Sequence, residues 1–148
     1  MRNVTKVLAA PVVLVCLMLV MNSCSKENVT PATVEEQLAP GEFLAKAPKP
    51  GTYVITKFID TGDDETAQFN GYTFQFTANG GFIATTGSGQ VFNGSWDLNS
   101  AETVMTLNIA GNNALDDLDD DDWSVTKITN LKIKIKANGP DIVVFERI

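Results

Sequence analysis

The chain contains no histidine, and its only cysteines are Cys16 and Cys24. Without histidine, the Ser-His-Asp and Cys-His arrangements of nucleophilic catalysis and the histidine-ligated zinc centres are excluded. Cations are scarce as well: 11 Lys and Arg stand against 18 Asp and Glu, for a formal net charge of −7. That balance speaks against nucleic acid and anionic lipid surfaces as partners of the domain as a whole. A hydrolase built on paired carboxylates has acids enough, but they fall in segments that read as wet loops, where nothing desolvates a carboxyl to raise its pKa. The expected protein is therefore not an enzyme. Nor is there a long apolar run. The longest, Val7–Val20, would make a helix of about 21 Å, short of the roughly 30 Å hydrocarbon core, and Pro11 interrupts it.

Arg2 and Lys6 precede that run and small polar residues follow it, the order of a cleavable signal peptide. The next residues, "VMNSC" from Val20 to Cys24, resemble the lipobox of bacterial lipoproteins, with Met21 and Asn22 where Leu and a smaller residue are usual. The resemblance implies that residues 1–23 are a lipoprotein signal peptide. It also implies that Cys24 carries a thioether-linked diacylglycerol as the mature N-terminus. Cys16 would leave with the signal peptide, so no internal disulfide is expected. Several acyl chains, at about 0.8 kcal/mol per buried CH₂, would anchor the chain to a membrane durably. Ser25, rather than Asp, after the cysteine implies the outer membrane, with either a periplasmic or a cell-surface orientation. Losing Arg2 and Lys6 would take the formal charge from −7 to −9.

Residues 24–50 carry Pro31, Pro40, Pro48 and Pro50 and no sustained period, as a tether would. Phe43 and Leu44 are its one large apolar pair and are candidates to dock on the domain. From Gly51 to Ile148 the texture changes to short alternating strands with turn signals between them. Eight are expected: 52–59, 71–77, 82–86, 91–98, 103–109, 123–128, 131–137 and 141–148. Asn79-Gly80 marks a tight hairpin, since such turns need positive φ. Sequential short connections favour antiparallel neighbours, and closing eight strands into an up-and-down barrel removes the exposed edges. A two-sheet β-sandwich is the alternative.

The run "GYTFQFTANGG", then "NGSWDL", and the closing "IVVFERI" resemble small lipocalin-like domains over residues 51–148. That resemblance implies a barrel interior able to take a small hydrophobic ligand. The alternation predicts Tyr53, Tyr72, Phe74, Phe76, Phe82, Trp96, Met105, Leu107, Trp123, Leu131, Ile133 and Ile135 inside. Tyr72, Phe74, Phe76, Phe82, Trp96, Leu107, Trp123 and Ile133 are the candidate ligand-lining set. The other reading is that these side chains fill an eight-stranded barrel, whose interior is just wide enough for them. The domain would then serve as an envelope or surface interaction module, most simply as a monomer. Both faces of "DIVVFERI" are apolar around Val143 and Val144, so its inward side stays open. Lys132, Lys134 and Lys136 read most simply as a solvent face paired with acids, with a contact to anionic headgroups as the alternative.

"ALDDLDDDDW" (114–123) is the densest charge in the chain. Up-and-down order places it at the same barrel end as the acids at 60–65. A short helical turn between the fifth and sixth strands, capped by Asn112 or Asn113, would lay Leu115 and Leu118 over the barrel mouth and face the aspartates to water. The same carboxylates suggest a second reading, an irregular Ca²⁺ site drawn from Asp63, Asp64, Asp119 and Asp121. The EF-hand pattern does not fit, because Asp122 and Ile128 fall where it needs Gly and Glu. No other cofactor is expected.

Overall fold

The computed structural model describes residues 38–148 other than 112 and 138, with residues 120 and 121 described in backbone only. The expected signal peptide, Cys24, the first half of the expected tether and the Asn112 cap candidate lie outside the described residues. The strands are β1 (Gly51–Asp60), β2 (Asp63–Asp64), β3 (Thr73–Phe76), β4 (Gly81–Thr85), β5 (Val91–Leu98), β6 (Val104–Asn108), β7 (Asp120–Ile128), β8 (Lys132–Lys136) and β9 (Ile142–Arg147). A 3₁₀ turn, Thr66–Phe69, precedes β3, and the short helix α1, Asn113–Asp116, lies between β6 and β7.

Each strand from β3 to β9 pairs antiparallel with the next, β1 pairs with β3, and β1 also pairs with β9. This is a closed eight-stranded up-and-down barrel, not a sandwich. The two-residue β2 folds back on the end of β1. The ring leaves no unpaired edge along its main strands. The register shifts at three places, one of them between Met105 and Leu107 on the β6–β7 ladder, and the other two re-aim side chains. One, between Ile55 and Lys57, lets Tyr53, Ile55 and then Phe58 all face inward. The other, between Val125 and Lys127, does the same for Trp123 and Ile128.

The interior is a single hydrophobic cluster. Phe74 stacks on Phe82 at 5.7 Å, and Phe145 meets Phe74, Phe76 and Phe82 edge-on at 5.4–6.1 Å. Of the predicted interior set, Tyr53, Phe74, Phe76, Phe82, Met105, Leu107, Trp123, Ile133 and Ile135 are buried, whereas Tyr72 and Trp96 are only partly so. Leu131 is a correction. It shares parity with Ile133 but sits in the turn before β8, beyond the barrel rim, and is 38% exposed. On β9, Val143 and Phe145 point inward. Val144 faces out opposite Lys57 and Lys134, whose aliphatic stems flank it on the outer wall. Lys132 pairs with Glu146 across the β8–β9 ladder at 3.3 Å.

Candidate functional site

The barrel has two ends, and each is closed by side chains the sequence supplies for that purpose. At the far end, Phe69 enters from the 3₁₀ turn and meets Phe58 edge-on at 5.0 Å. Leu115 and Leu118, three residues apart around α1, are both fully buried. The Trp123 indole N–H donates to the Leu118 carbonyl at 3.1 Å, which ties this plug to the wall. Tyr72 stands at the same end, stacked on Phe74 and edge-on to Phe69.

The near end is covered by residues 38–50, which form an ordered strap. Phe43 N–H donates to Asn130 Oδ1, Asn130 N–H donates to the Phe43 carbonyl, and Ala45 N–H donates to the Ile128 carbonyl. Thr129, fully buried, donates its hydroxyl to Glu42 Oε1 at 2.6 Å, while Ala39 N–H donates to Glu42 Oε2. Pro48 is buried and Ala45 packs on the core. The hydroxyl of interior Tyr53 donates to the Lys49 carbonyl at 2.7 Å, satisfying a polar tip at the edge of an apolar lumen. The strap thus docks through its backbone and Glu42 on the β7–β8 turn. It does not dock through the side chains of Phe43 and Leu44, which are 55% and 70% exposed.

Clefts lie outside the wall among the described residues. One, about 540 Å³, runs between strap residues 44–50 and the β3–β4 turn, with Trp96 and Ala78 along it. A second, about 320 Å³, shares Pro50 and Ala78 with it and reaches Phe76. Trp96 donates its indole N–H to the Thr77 carbonyl at 3.2 Å and lies 6.0 Å from Phe76. Of the candidate ligand-lining residues, then, Trp96 and Phe76 border clefts, Tyr72 closes the far end, and the remainder occupy the lumen themselves.

The acids gather at the far end. Asp117 has its pKa raised by burial first, then by Asp60 and Asp116, with Gln68 offsetting part of the effect. Asp60 and Asp117 are thus near enough to repel, although 57 residues separate them in sequence. Gln68 faces this group, yet its Nε2 is buried without a well-formed hydrogen bond. A carboxyl whose pKa is raised by folding opposes folding above its ordinary range and stops doing so as the pH falls. Asp117→Asn should therefore raise Tm by about 2 °C at pH 7 and by nothing near pH 3, as read by thermal melts at both values.

The four candidate calcium ligands do not converge among the described residues. Asp64 Oδ1 accepts hydrogen bonds from the Thr66 hydroxyl and amide, which hold its pKa below the usual range. Asp119 Oδ1 accepts from Ile109 N–H at 3.1 Å, and Asp63 is exposed on β2. The Asp121 side chain lies outside the described set. No group of three or more His, Cys, Asp or Glu is arranged to hold a metal among the described residues. The aspartate run also contributes structure that its composition hid: β7 begins at Asp120, opposite Leu107.

Glu42 has the opposite shift from Asp117. Its pKa is held down by the Thr129 hydroxyl, then by the Ala39 amide, with Lys127 and Lys132 adding to the effect. A carboxylate with a lowered pKa stabilises the fold above its ordinary range and ceases to as the pH falls through the depressed value. Glu42→Ala is expected to speed amide exchange at Ala45 and Asn130 about fivefold at neutral pH, the loss of roughly 1 kcal/mol from a partly solvated clasp. Exchange in the β4 and β5 amides should be unmoved.

No protein-family model matches the chain, and no curated protein does. Among solved structures, it is similar to a DUF4847 family protein from Bacteroides vulgatus, with a TM-score of 0.50 and 12% identity over 66% of this chain and 92% of that one. It is also similar to an uncharacterized protein from Bacteroides eggerthii, with a TM-score of 0.45 and 14% identity over 67% and 98% of the two chains. At such identity the likeness to the first extends to the barrel fold alone.

Proposed function

We propose that the protein is a lipid-anchored, non-catalytic interaction module of the bacterial outer membrane, acylated at Cys24. The observation that carries this reading is the lumen: its aromatic side chains contact one another, and both mouths are covered by buried residues. A barrel filled in this way presents surfaces to a partner rather than an interior to a ligand. Mass spectrometry of the protein taken from its own envelope tests the anchor. A diacylglyceryl-modified Cys24 is expected, and Cys24→Ala should move the chain out of the membrane fraction. An unmodified Cys24 would end that part of the reading.

A second reading has one observation in its favour. The 540 Å³ cleft beside Trp96 is large enough for a small hydrophobic molecule. A ligand there would co-purify in native mass spectrometry and be lost in Trp96→Ala. The module reading expects no such mass. It also expects equal melting temperatures in chelator and in millimolar Ca²⁺.

A further inference from the structure

The six exposed large hydrophobic side chains among the described residues are not scattered. All but Val91 sit at the near end: Leu38, Phe43 and Leu44 on the strap, Leu131 in the β7–β8 turn it clasps, and Ile148 at the chain's last position. Backbone hydrogen bonds knit them together. Arg147 N–H donates to the Leu131 carbonyl, Ile148 N–H to the Thr52 carbonyl, and the strap is bonded to Asn130. These are apolar groups on an ordered frame, and ordering them in water gains nothing.

Charge divides along the same axis. Asp60, Asp63, Asp64, Glu65, Asp116 and Asp117 belong to the far end. Lys46 and Lys49 on the strap, Lys127 near the end of β7, Lys132 at the start of β8 and Arg147 at the end of β9 belong to the near end, together with Glu42 and Glu146, engaged by Thr129 and Lys132, and with Asp97 and Glu102 at the β5–β6 hairpin. The net charge argued against an anionic surface for the domain as a whole. That argument is weaker for this one end, where cations and acids nearly balance and the excess of acid lies at the other.

We propose that the near end is an interfacial face that rests on a phospholipid surface, with Phe43, Leu44 and Ile148 at the headgroup–acyl boundary and the lysines among the headgroups. The occupant follows from where the chain leads. The strap begins at residue 38, and residues 25–37 are all that separate it from Cys24. Thirteen residues reach no more than about 45 Å even at full extension. If Cys24 is acylated, as the reading above holds, the near end is the end kept within reach of the bilayer. The acidic far end is repelled from anionic lipid and points away.

The test uses the acylated protein in phosphatidylethanolamine–phosphatidylglycerol vesicles. Acylation leaves Leu44→Cys or Val91→Cys as the only free thiol, which accepts an environment-sensitive dye. Dye at position 44 should shift to the blue and be quenched by lipids brominated in the upper acyl chain at least threefold more than dye at position 91. Equal quenching overturns the proposal. So does a blue shift at 44 without lipid quenching, which would identify a protein partner instead. A second measurement separates this face from the anchor. The unacylated chain 25–148 should sediment with the same vesicles, and Leu44→Ser should weaken that binding about tenfold. If Cys24 proves unmodified while this chain still binds, the anchor reading falls and the face stands. If Cys24 is acylated and the dye at 44 reports water, the face falls alone.

Discussion

Phe74→Ala is expected to lower the stability of the domain by about 3–5 kcal/mol, the usual cost of removing a buried aromatic ring. For a domain of this size that is a fall in Tm of roughly 10–20 °C, read by near-ultraviolet circular dichroism. The ring is fully buried and stands at the centre of the lumen, stacked on Phe82 and crossed edge-on by Phe145 at 5.5 Å and Phe69 at 5.9 Å. Its neighbours come from strands on both sides of the ring and from the far-end plug. None can shift into the vacancy without leaving its own contact. The cavity should stay dry and accept benzene or indole, with a partial recovery of Tm. A loss below about 1 kcal/mol would mean that the lumen has slack to collapse, and would return weight to an interior ligand.

Gly94→Ala is expected to cost about 3 kcal/mol although it adds a single methyl group. Gly94 lies in β5 beside the last β5–β6 pair, Ser95 with Asn108. A Cβ there would run into the Asn108 carbonyl oxygen and would stand 2.9 Å from Ile109 Cβ. Both obstacles belong to β6 and the residue after it, and Ile109 N–H is held by Asp119. The seam must open to admit the methyl, and the α1 segment would be displaced with it. Urea unfolding should show the drop, with proteolytic nicking appearing first between residues 109 and 119. A variant as stable as the parent would show that β5 and β6 can part at no cost.

Much of this architecture is visible in the residue pattern. Tyr53, Phe74, Phe76, Phe82, Leu107 and Ile133 alternate with polar residues, and period two is enough to place them inside once the ring closes. Leu115 and Leu118 declared the far-end plug by their spacing. The errors arise where the pattern is local and the cause is not. Asp120 to Asp122 are poor strand formers, so the start of β7 reads as loop; cross-strand bonding to Leu107 overrides propensity there. Leu131 follows the parity of Ile133 and Ile135, but parity says nothing of where the wall stops. The bulges in β1 and β7 shift alternation in mid-strand, and nothing in "TYVITKFI" marks the one within it. The strap is hidden for a different reason. Its proline-rich composition reads as a free tether, and what fixes it is Glu42 meeting Thr129, a pairing across 87 residues. The candidate ligand set was legible as residues but not as a site, since the same aromatics serve a filled lumen and a lined one.

The seam between β1 and β9 joins the first strand of the domain to the last, from Tyr53 opposite Arg147 to Ile59 opposite Ile142. A nascent barrel therefore lacks its closing ladder until β9 has been made. Pairing so remote in sequence also makes folding slow, in the millisecond-to-second range rather than microseconds. The ring stays open until β9 bonds to both β8 and β1, so this one strand acts as the latch of the whole barrel.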